Sequence, residues 1–230
     1  KGAQEITDLL PTEEITPAEL LQKSKENSFN LDKVYKVVFK ENDLSTTINE
    51  NDKFELQDYY QHPEKYKNQF EQYIPHLSIL MNCMYWDDRY PRIVTKDFLA
   101  ELYKTNHRLK VIGDVTCDPD GSIEATHIGT AIEDPVFVYN PKTRTPKMGF
   151  DGYGVLIMSV DILPSELPRE SSKAFGDVLV NYVKRLVEAD YNTSFENLNI
   201  PQEFKRALIL HKGNFTPDFK YMADFLLKKF

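Results

Sequence analysis

The chain has 230 residues, of which 28 are basic and 36 acidic, and its formal net charge at pH 7 is −8. With 41% hydrophobic and 12% aromatic residues, it can bury the core of one large domain or two small ones. The acidic balance argues against nucleic acid as a main partner, because contacts to phosphates need clustered lysine and arginine. The longest apolar stretch, Gly154–Val160, is far shorter than the ~20 residues of a membrane span, so no membrane partner is predicted.

The first residues are predicted to form two helices. Residues 2–10 place their apolar side chains on one face of a short helix that ends at Pro11. No serine, threonine or aspartate precedes this helix to cap it, so we expect that the chain lacks its natural beginning. The second helix has a clearer start, with Thr16 as N-cap, Pro17 at its first position and Glu19 completing a capping box.

The next segment is predicted to be partly helical and partly unstructured. Apolar residues between Leu31 and Phe39 have helical spacing. The polar stretch Glu41–Asp58 is predicted to be a solvated loop. Another short helix is predicted from His62 to about Tyr73.

Four short apolar runs follow, and they are rich in β-branched residues. Their continuous apolarity is typical of strands that are buried on both faces. A helical segment, 96–103, separates the first two runs, so the predicted fold class is α/β with a parallel sheet. The four runs are His76–Cys83, Leu109–Val115, Pro135–Tyr139 and Gly154–Asp161.

The last third of the chain is predicted to be helical. Two prolines, Pro164 and Pro168, end the strand pattern. Apolar residues from Phe175 to Val187 then mark one face of a long amphipathic helix. Two shorter helices are predicted, at about 201–210 and 217–230.

Histidine and cysteine give no sign of a metal or redox site. His76 and His127 flank strands and could face a cleft, but neither has a second ligand at metal spacing, so no metal is predicted. We predict that Cys83 and Cys117 are small buried core residues without reactivity. So few cysteines favour a reducing, intracellular compartment.

Small and polar residues follow three of the four runs. Ligands of parallel α/β sheets bind beyond the carboxyl ends of the strands, which makes these residues candidates for a binding site. A glycine there lets a ligand approach the backbone, and carboxylates orient hydroxyl groups or an amine. Ordinary turns favour the same residue types, which is the alternative interpretation. The candidates are Asn82, Gly113, Asp114, Thr116, Ser159 and Asp161.

The sequence around these candidates resembles the lysine–ketoglutarate reductase family. That family supplies the reductase half of bifunctional aminoadipic semialdehyde synthase, includes the fungal lysine-forming saccharopine dehydrogenases and is related to alanine dehydrogenase. The matching strings occur in family order over most of the chain. They are Asn82–Trp86, Gly113–Asp118, Gly121–Glu124 and Ser159–Glu170.

The resemblance implies a Rossmann-type domain without its first strand. Lys1–Gln4 is similar to the end of the family's glycine-rich loop, and Gly2 would be its last glycine. Residues 1–167 would be the dinucleotide-binding domain, incomplete at its N-terminus, and 168–230 a helical return segment of the substrate domain. The missing N-terminal substrate-domain half holds the family's acid–base lysine and histidine, so no catalytic residue is expected in this chain, and the chain alone is predicted to be inactive.

The implied reaction is the condensation of lysine with 2-oxoglutarate and reduction of the imine to saccharopine by a nicotinamide cofactor, in lysine degradation. The residues would position two partners for hydride transfer. The implied location is the cytoplasm or the mitochondrial matrix. The resemblance places the cofactor against Gly2, Thr16, Asn82, Cys83, Met84, Gly113, Val160, Asp161, Ile162 and Leu163, and the substrate against Asp114, Val115 and Thr116.

The cofactor is predicted to be NADP, with NAD as the alternative. An acidic residue at the end of the second strand binds the ribose 2′-hydroxyl of NAD, and Thr16 occupies the position of the fungal aspartate. Lys23 or Lys25 could pair with a 2′-phosphate, whereas Glu14 lies close enough to repel it.

Two other functions stay open. One is an amino-acid dehydrogenase similar to alanine dehydrogenase, against which the string Leu167–Glu170 argues. The other is a nucleotide-binding or assembly module without catalytic activity.

Overall fold

The computed structural model describes residues 2–226, and the chain divides into two compact units, Lys1–Leu163 and Pro164–Phe230. The first unit begins with helix α1 (Gly2–Thr7), strand β1 (Thr12–Glu14), helix α2 (Pro17–Glu26) and strand β2 (Val34–Lys36). β1 and β2 pair in parallel, with Glu14 opposite Lys36.

The predicted capping box of α2 is confirmed. The Thr16 hydroxyl accepts a hydrogen bond from the Glu19 amide at 3.2 Å, and the Glu19 carboxylate accepts one from the Thr16 amide at 2.7 Å. These bonds satisfy amide groups that the first turn of a helix leaves without partners. They fix the turn that follows β1, where the cofactor ribose was predicted to bind.

The helix predicted between Leu31 and Phe39 is wrong, because β2 forms there. Val34 and Tyr35 are residue types that favour strands, and pairing with β1 decides between the two patterns. The predicted helix from His62 to Tyr73 is also wrong. The chain forms 3₁₀ turns at Pro63–Lys65, Phe70–Gln72 and Ile74–His76, with strand β4 (Tyr66–Asn68) between the first two.

The predicted solvated loop, Glu41–Asp58, is ordered over much of its length. It contains helix α3 (Glu41–Leu44) and strand β3 (Ser45–Thr47), and helix α4 (Leu56–Gln61) begins within it. β3 pairs antiparallel with β4. The Tyr59 and Tyr66 rings lie 5.1 Å apart and are buried, so aromatic packing offsets the polarity of this stretch.

The central sheet of the described residues has five strands in the order β5-β6-β9-β7-β8. They are β5 (Ile79–Asn82), β6 (Val111–Asp114), β7 (Val136–Asn140), β8 (Thr145–Met148) and β9 (Val155–Met158), and helix α5 (Lys96–Leu102) lies between β5 and β6 in the chain. The four predicted strands and the α/β class are therefore confirmed.

Two parts of this sheet run in different directions. β5, β6 and β9 are parallel, which is the Rossmann-like part of the sheet. β7, which was expected to be parallel, is antiparallel to both of its neighbours. The reason is connectivity, because only short turns join β7, β8 and β9, and parallel neighbours need a long crossover. At the second turn, Gly154 has φ +145° and lies directly against the Tyr139 carbonyl.

One hydrophobic cluster fills the interior of the first unit. Leu99 of α5, Ile112 of β6, Phe137 of β7 and Ile157 of β9 are each 0% exposed within it. Because strand side chains alternate between faces, Asp114 points to the same side of β6 as Ile112, and Gly113 to the other side. The Asp114 carboxylate therefore lies on the face of β6 that packs against the core.

The second unit begins with the predicted long helix, α6 (Pro168–Val187). Helix α7 (Gln202–Ala207) is shorter than predicted, because the chain enters a small hairpin of strands β10 (Leu210–His211) and β11 (Asn214–Phe215). A 3₁₀ segment, Pro217–Met222, and helix α8 (Ala223–Leu226) follow, and residues 227–230 of the predicted last helix lie outside the described residues. Among residues 2–226, no helix has the length and apolarity needed to cross a membrane.

Candidate functional site

The candidate site lies at the carboxyl ends of β5, β6 and β9. Asn82 pairs with Asp114 in register, and Gly113 pairs with Met158. The three strands are parallel neighbours, so the residues that follow them share one edge of the sheet. The structure thus brings together the strand-end candidates that the sequence placed far apart, and their roles toward a ligand remain predictions.

Asp114 is the centre of a buried polar network at this edge. Its side chain is 1% exposed. Oδ1 accepts hydrogen bonds from Asn82 Nδ2 at 2.8 Å and Thr116 Oγ1 at 2.7 Å, and Oδ2 accepts one from Thr126 Oγ1 at 2.5 Å. Such a carboxylate is stabilised by its donors, not by contact with solvent.

Asn82 connects β5 to the loop that follows β6. Its two Nδ2 protons serve three acceptors, Asp114 Oδ1 and Ser122 Oγ at 2.8 Å and, by a shared and longer contact, Thr116 Oγ1 at 3.2 Å. Its backbone carbonyl oxygen accepts a hydrogen bond from the Val115 amide at 2.9 Å. Asn82 is 3% exposed, so it stabilises the loop after β6 from the protein interior.

Sequence reasoning did not single out Ser122 or Thr126 as site residues. Both are buried members of the network, with exposures of 1% and 0%. Ser122 lies in the string Gly121–Glu124, so only the family resemblance pointed to this part of the chain. Thr126 had no signal, because nothing in the sequence shows that its hydroxyl reaches the end of β6.

The segment after β9 is held by a separate set of contacts. The Asp161 amide donates to the Thr130 carbonyl at 3.0 Å, and Asp161 Oδ1 accepts a bond from the Ile162 amide at 2.7 Å. Ile162 has φ +55°, a conformation that is strained for a β-branched residue. The strand therefore ends in a fixed turn that exposes the Ile162 side chain.

A thiol contact joins the loop after β6 to the turn after β9. Cys117 Sγ lies 3.6 Å from Asp161 Oδ1. Burial raises the pKa of the Cys117 thiol, and the nearby Asp161 charge raises it further, so the thiol stays protonated at neutral pH. The prediction that both cysteines are buried is wrong, since Cys83 is exposed and Cys117 is half-buried.

Gly113 is not open to a ligand in the way the sequence suggested. A Cβ at this position would lie 2.5 Å from Met81 Sδ and 3.7 Å from Met158 Cε. The flexible Met81 side chain therefore covers the face of Gly113. A ligand that approaches this backbone displaces a thioether, which is the most adaptable apolar side chain.

The predicted cofactor residues differ in what they expose. Val160 is buried, at 3%, so only its backbone is available to a ligand. Val115, Ile162 and Leu163 are exposed by 37%, 65% and 36%. Apolar side chains therefore lie beside polar groups at this edge of the sheet. Cys83 is exposed, Met84 is half-buried, and Gly2 is the first residue of α1.

The end of β1 carries charges of both signs. The Glu14 carboxylate pairs with the Lys36 ammonium at 2.9 Å, and Lys36 also pairs with Asp8 at 2.6 Å. Lys23, a predicted phosphate ligand, lies 5.3 Å above the Tyr35 ring and 3.9 Å from Glu13, and Lys25 is exposed.

The Glu19 carboxylate lies directly against Thr16. Its Oε2 is 2.8 Å from the Thr16 hydroxyl. Hydrogen bonds from Thr16 lower the pKa of Glu19, so the carboxylate is ionised at neutral pH. The neutral residue that the sequence places at the end of β1 therefore has a negative charge beside it.

The histidines lie outside this network. His76 Nδ1 is 2.6 Å from the Ser24 hydroxyl of α2, and burial lowers the His76 pKa, with the charge of Arg108 adding to the effect. His127 is exposed. Across residues 2–226, no three His, Cys, Asp or Glu side chains are grouped as a metal site requires.

Known proteins similar to this chain fall in one group. Residues 33–218 match the family described as alanine dehydrogenase/PNT, C-terminal domain. The alpha-aminoadipic semialdehyde synthase of Arabidopsis thaliana is 37% identical over 96% of this chain, and that of Mus musculus, named as mitochondrial, is 30% identical over 96%. The saccharopine dehydrogenase (NAD(+), L-lysine-forming) of Schizosaccharomyces pombe is 30% identical over 49%.

The matches cover only part of these relatives. The chain spans 21% of the Arabidopsis protein and 25% of the mouse protein, and the match covers 29% of the fission-yeast protein. The family match extends over more than half of this chain and includes β5, β6 and β9. The chain belongs to the alanine dehydrogenase/PNT C-terminal domain family.

Proposed function

We propose that this chain is the nicotinamide-binding part of an oxidoreductase that condenses lysine with 2-oxoglutarate and reduces the imine to saccharopine. The observation that carries the proposal is the shared edge of three parallel strand ends, where Asn82 bonds to Asp114 and Asp161 contacts Cys117 of the adjoining loop. The similarity to two aminoadipic semialdehyde synthases over 96% of the chain supports this choice among family activities.

The described residues act by positioning. When bound, the nicotinamide supplies or accepts the hydride. The exposed Ile162 and Leu163 side chains would pack against its ring, and the fixed turn at Asp161 would set the height of the ring above the strand ends. The loop at Val115 and Thr116 would meet the amino-acid substrate on the other side of β6. No described residue is assigned as the general acid or base.

We infer that the preferred cofactor is NADP. Lys36 neutralises Glu14, which reduces repulsion of a 2′-phosphate at the end of β1. The Glu19 carboxylate acts in the opposite direction, because its charge lies beside Thr16. Lys23, whose ammonium lies 3.9 Å from Glu13 of β1, supports the phosphate, and binding of NADPH and NADH to the chain measures the balance.

The first experiment titrates NADPH and NADH into the purified chain and follows nicotinamide fluorescence. We expect saturable binding that Ile162→Glu weakens about tenfold, because a charge replaces the apolar contact with the ring. Ile48→Glu is the matched control, since Ile48 is similarly exposed, at 55%, but belongs to the segment after β3. Equal effects of the two variants would contradict the assigned ring site.

Turnover assays separate the alternative functions. The chain alone is expected to bind the cofactor without turning over lysine and 2-oxoglutarate, because its residues position but do not exchange protons. Turnover of pyruvate with ammonia would favour an alanine dehydrogenase-like activity. A folded chain without affinity for either dinucleotide would favour an assembly module.

The proposed location is intracellular, in the mitochondrial matrix or the cytoplasm. The mouse relative, which is named as mitochondrial, supports the first of these. Fractionation of cells that express the complete protein checks it.

A further inference from the structure

The Asp114 carboxylate is buried beneath the proposed substrate position and is fully engaged. Three donors, on Asn82, Thr116 and Thr126, lie within 2.8 Å of its oxygens. Among residues 2–226, no lysine, arginine or histidine forms an ion pair with it. At 1% exposure it does not reach a ligand directly, so any role in binding acts through its neighbours.

The neighbour that faces the site is Thr116, and its hydrogen bonds have a fixed direction. Thr116 Oγ1 donates its single hydroxyl proton to Asp114 Oδ1 at 2.7 Å. Thr116 Oγ1 also accepts from Asn82 Nδ2 at 3.2 Å. At least one lone pair therefore stays available on the half-buried Thr116 hydroxyl. Thr116 can therefore accept a hydrogen bond from a ligand but cannot donate one.

We propose that Asp114 is a positioning residue, which holds the Thr116 hydroxyl as an acceptor for an N–H group of the substrate. The inference rests on the proposed function and deepens it, because it states which end of the substrate this edge receives. An ammonium group or a secondary amine satisfies the acceptor, whereas a carboxylate does not.

The opposite orientation is unfavourable at this site. A substrate carboxylate bound at Thr116 would need the hydroxyl proton, which would leave Asp114 Oδ1 with Asn82 as its remaining donor. It would also bring a second negative charge close to the buried Asp114. The two carboxylates of 2-oxoglutarate therefore belong elsewhere, and the amine end of lysine or saccharopine belongs here.

The test is a set of NMR titrations of the isotopically labelled full chain, followed at the Thr116 amide and methyl resonances. The probes are lysine, 2-oxoglutarate and NADPH, each alone, and lysine in the presence of NADPH. We expect saturable shifts at Thr116 with lysine and none with 2-oxoglutarate. The titration with NADPH alone shows whether the nicotinamide carboxamide, which is the other possible N–H donor, shifts Thr116.

Variants separate positioning from a merely structural effect. Thr116→Val is expected to raise the lysine Kd about tenfold, and Thr116→Ser, which keeps the hydroxyl, to leave it within about twofold. Asp114→Asn keeps an oxygen toward Asn82 and Thr116 but removes the charge, so the lysine Kd should rise about threefold while the NADPH Kd stays unchanged. Thr105→Val is the control, because the Thr105 hydroxyl bonds to the Leu102 carbonyl at the end of α5.

Several outcomes would overturn the proposal. They are a wild-type lysine Kd in Thr116→Val, a Thr116 shift with 2-oxoglutarate in place of lysine, no saturable shift with lysine, and a Thr116→Val effect on NADPH alone. An Asp114→Asn variant that loses thermal stability but keeps its lysine Kd would show a structural role only. If NADPH does not bind while lysine still shifts Thr116, the proposed cofactor site fails and the assignment of Thr116 stands.

Discussion

At the scale of single residues, hydrogen-bond direction and charge decide what each side chain can do. Asp114 ends β6 and Asp161 follows β9, yet the first is buried among donors and the second is exposed. The sequence predicts both as carboxylates at the edge and does not distinguish them. Burial is set by which face of β6 packs on the core, and only tertiary contacts fix that.

The Glu19 carboxylate provides a residue-scale test of cofactor choice. Glu19→Gln keeps an oxygen for the Thr16 amide but removes the charge beside the predicted ribose position. We expect the preference for NADPH over NADH to rise about threefold, because repulsion of the 2′-phosphate falls. Glu26→Gln at the other end of α2 is the control. An unchanged ratio of the two dissociation constants would contradict the role of Glu19.

Glu71 gives a prediction about pH. Burial raises the pKa of Glu71 above 4.5, although the Thr95 hydroxyl at 3.3 Å lowers it in part. The folded state therefore prefers the protonated form, and ionisation destabilises the fold as pH rises through the window between 4.5 and the raised pKa. Glu71→Gln should stabilise the chain at pH 7, by less than about 1 kcal/mol, and lose this advantage below pH 4.5. Urea unfolding at both pH values checks the sign, and a variant that is less stable at pH 7 would contradict it.

At the scale of elements, strand pairing overrides local pattern at several places. β2 forms where apolar spacing favoured a helix, and β3 forms within a polar stretch predicted to be a loop. The long helix α6 and the capped start of α2 were predicted well, because periodicity and capping are local. Strand direction was predicted correctly for β5, β6 and β9 but not for β7, which is antiparallel to both of its neighbours.

Gly154 lies in the turn that joins β8 to β9, and a substitution there tests how strictly this turn determines the sheet. With φ +145° and a would-be Cβ 1.9 Å from the Tyr139 carbonyl oxygen, alanine cannot fit without moving the backbone. Gly154→Ala should lower the free energy of unfolding by at least about 3 kcal/mol. Gly176→Ala on α6, where nothing lies within 4 Å, should instead raise it by about 0.5–1 kcal/mol. Similar effects of both changes would contradict this reading of the turn.

At the scale of the whole molecule, the candidate site belongs to one of the two compact units. The hydrogen bonds described above for Asn82, Asp114 and Asp161 are all made within Lys1–Leu163. Residues 1–167 were predicted as the dinucleotide-binding domain, and this remains a proposal that truncation can test.

A chain that ends at Leu167 should keep its affinity for NADPH within about twofold. The reason is that the strands and loops of the site form their contacts without the second unit. Fluorescence titration of the shortened and full chains makes the comparison, and circular dichroism confirms that the shortened chain is folded. A folded shortened chain without affinity would place part of the cofactor site in residues 168–230.

The sequence by itself determined four strands of the central sheet, the capped helix α2 and the strings that identify the family, because these depend on neighbours in the chain. Only the tertiary structure decided that Thr126 and Ser122 join the network of Asp114, that Met81 covers Gly113 and that Glu19 brings charge to Thr16. Those contacts join residues that are distant in sequence but adjacent at strand ends and turns. The contacts in turn determine which group donates and which accepts each hydrogen bond. The local sequence pattern carries no information about such distances. For that reason only the fold shows that the Thr116 hydroxyl donates to Asp114 and can accept from a ligand.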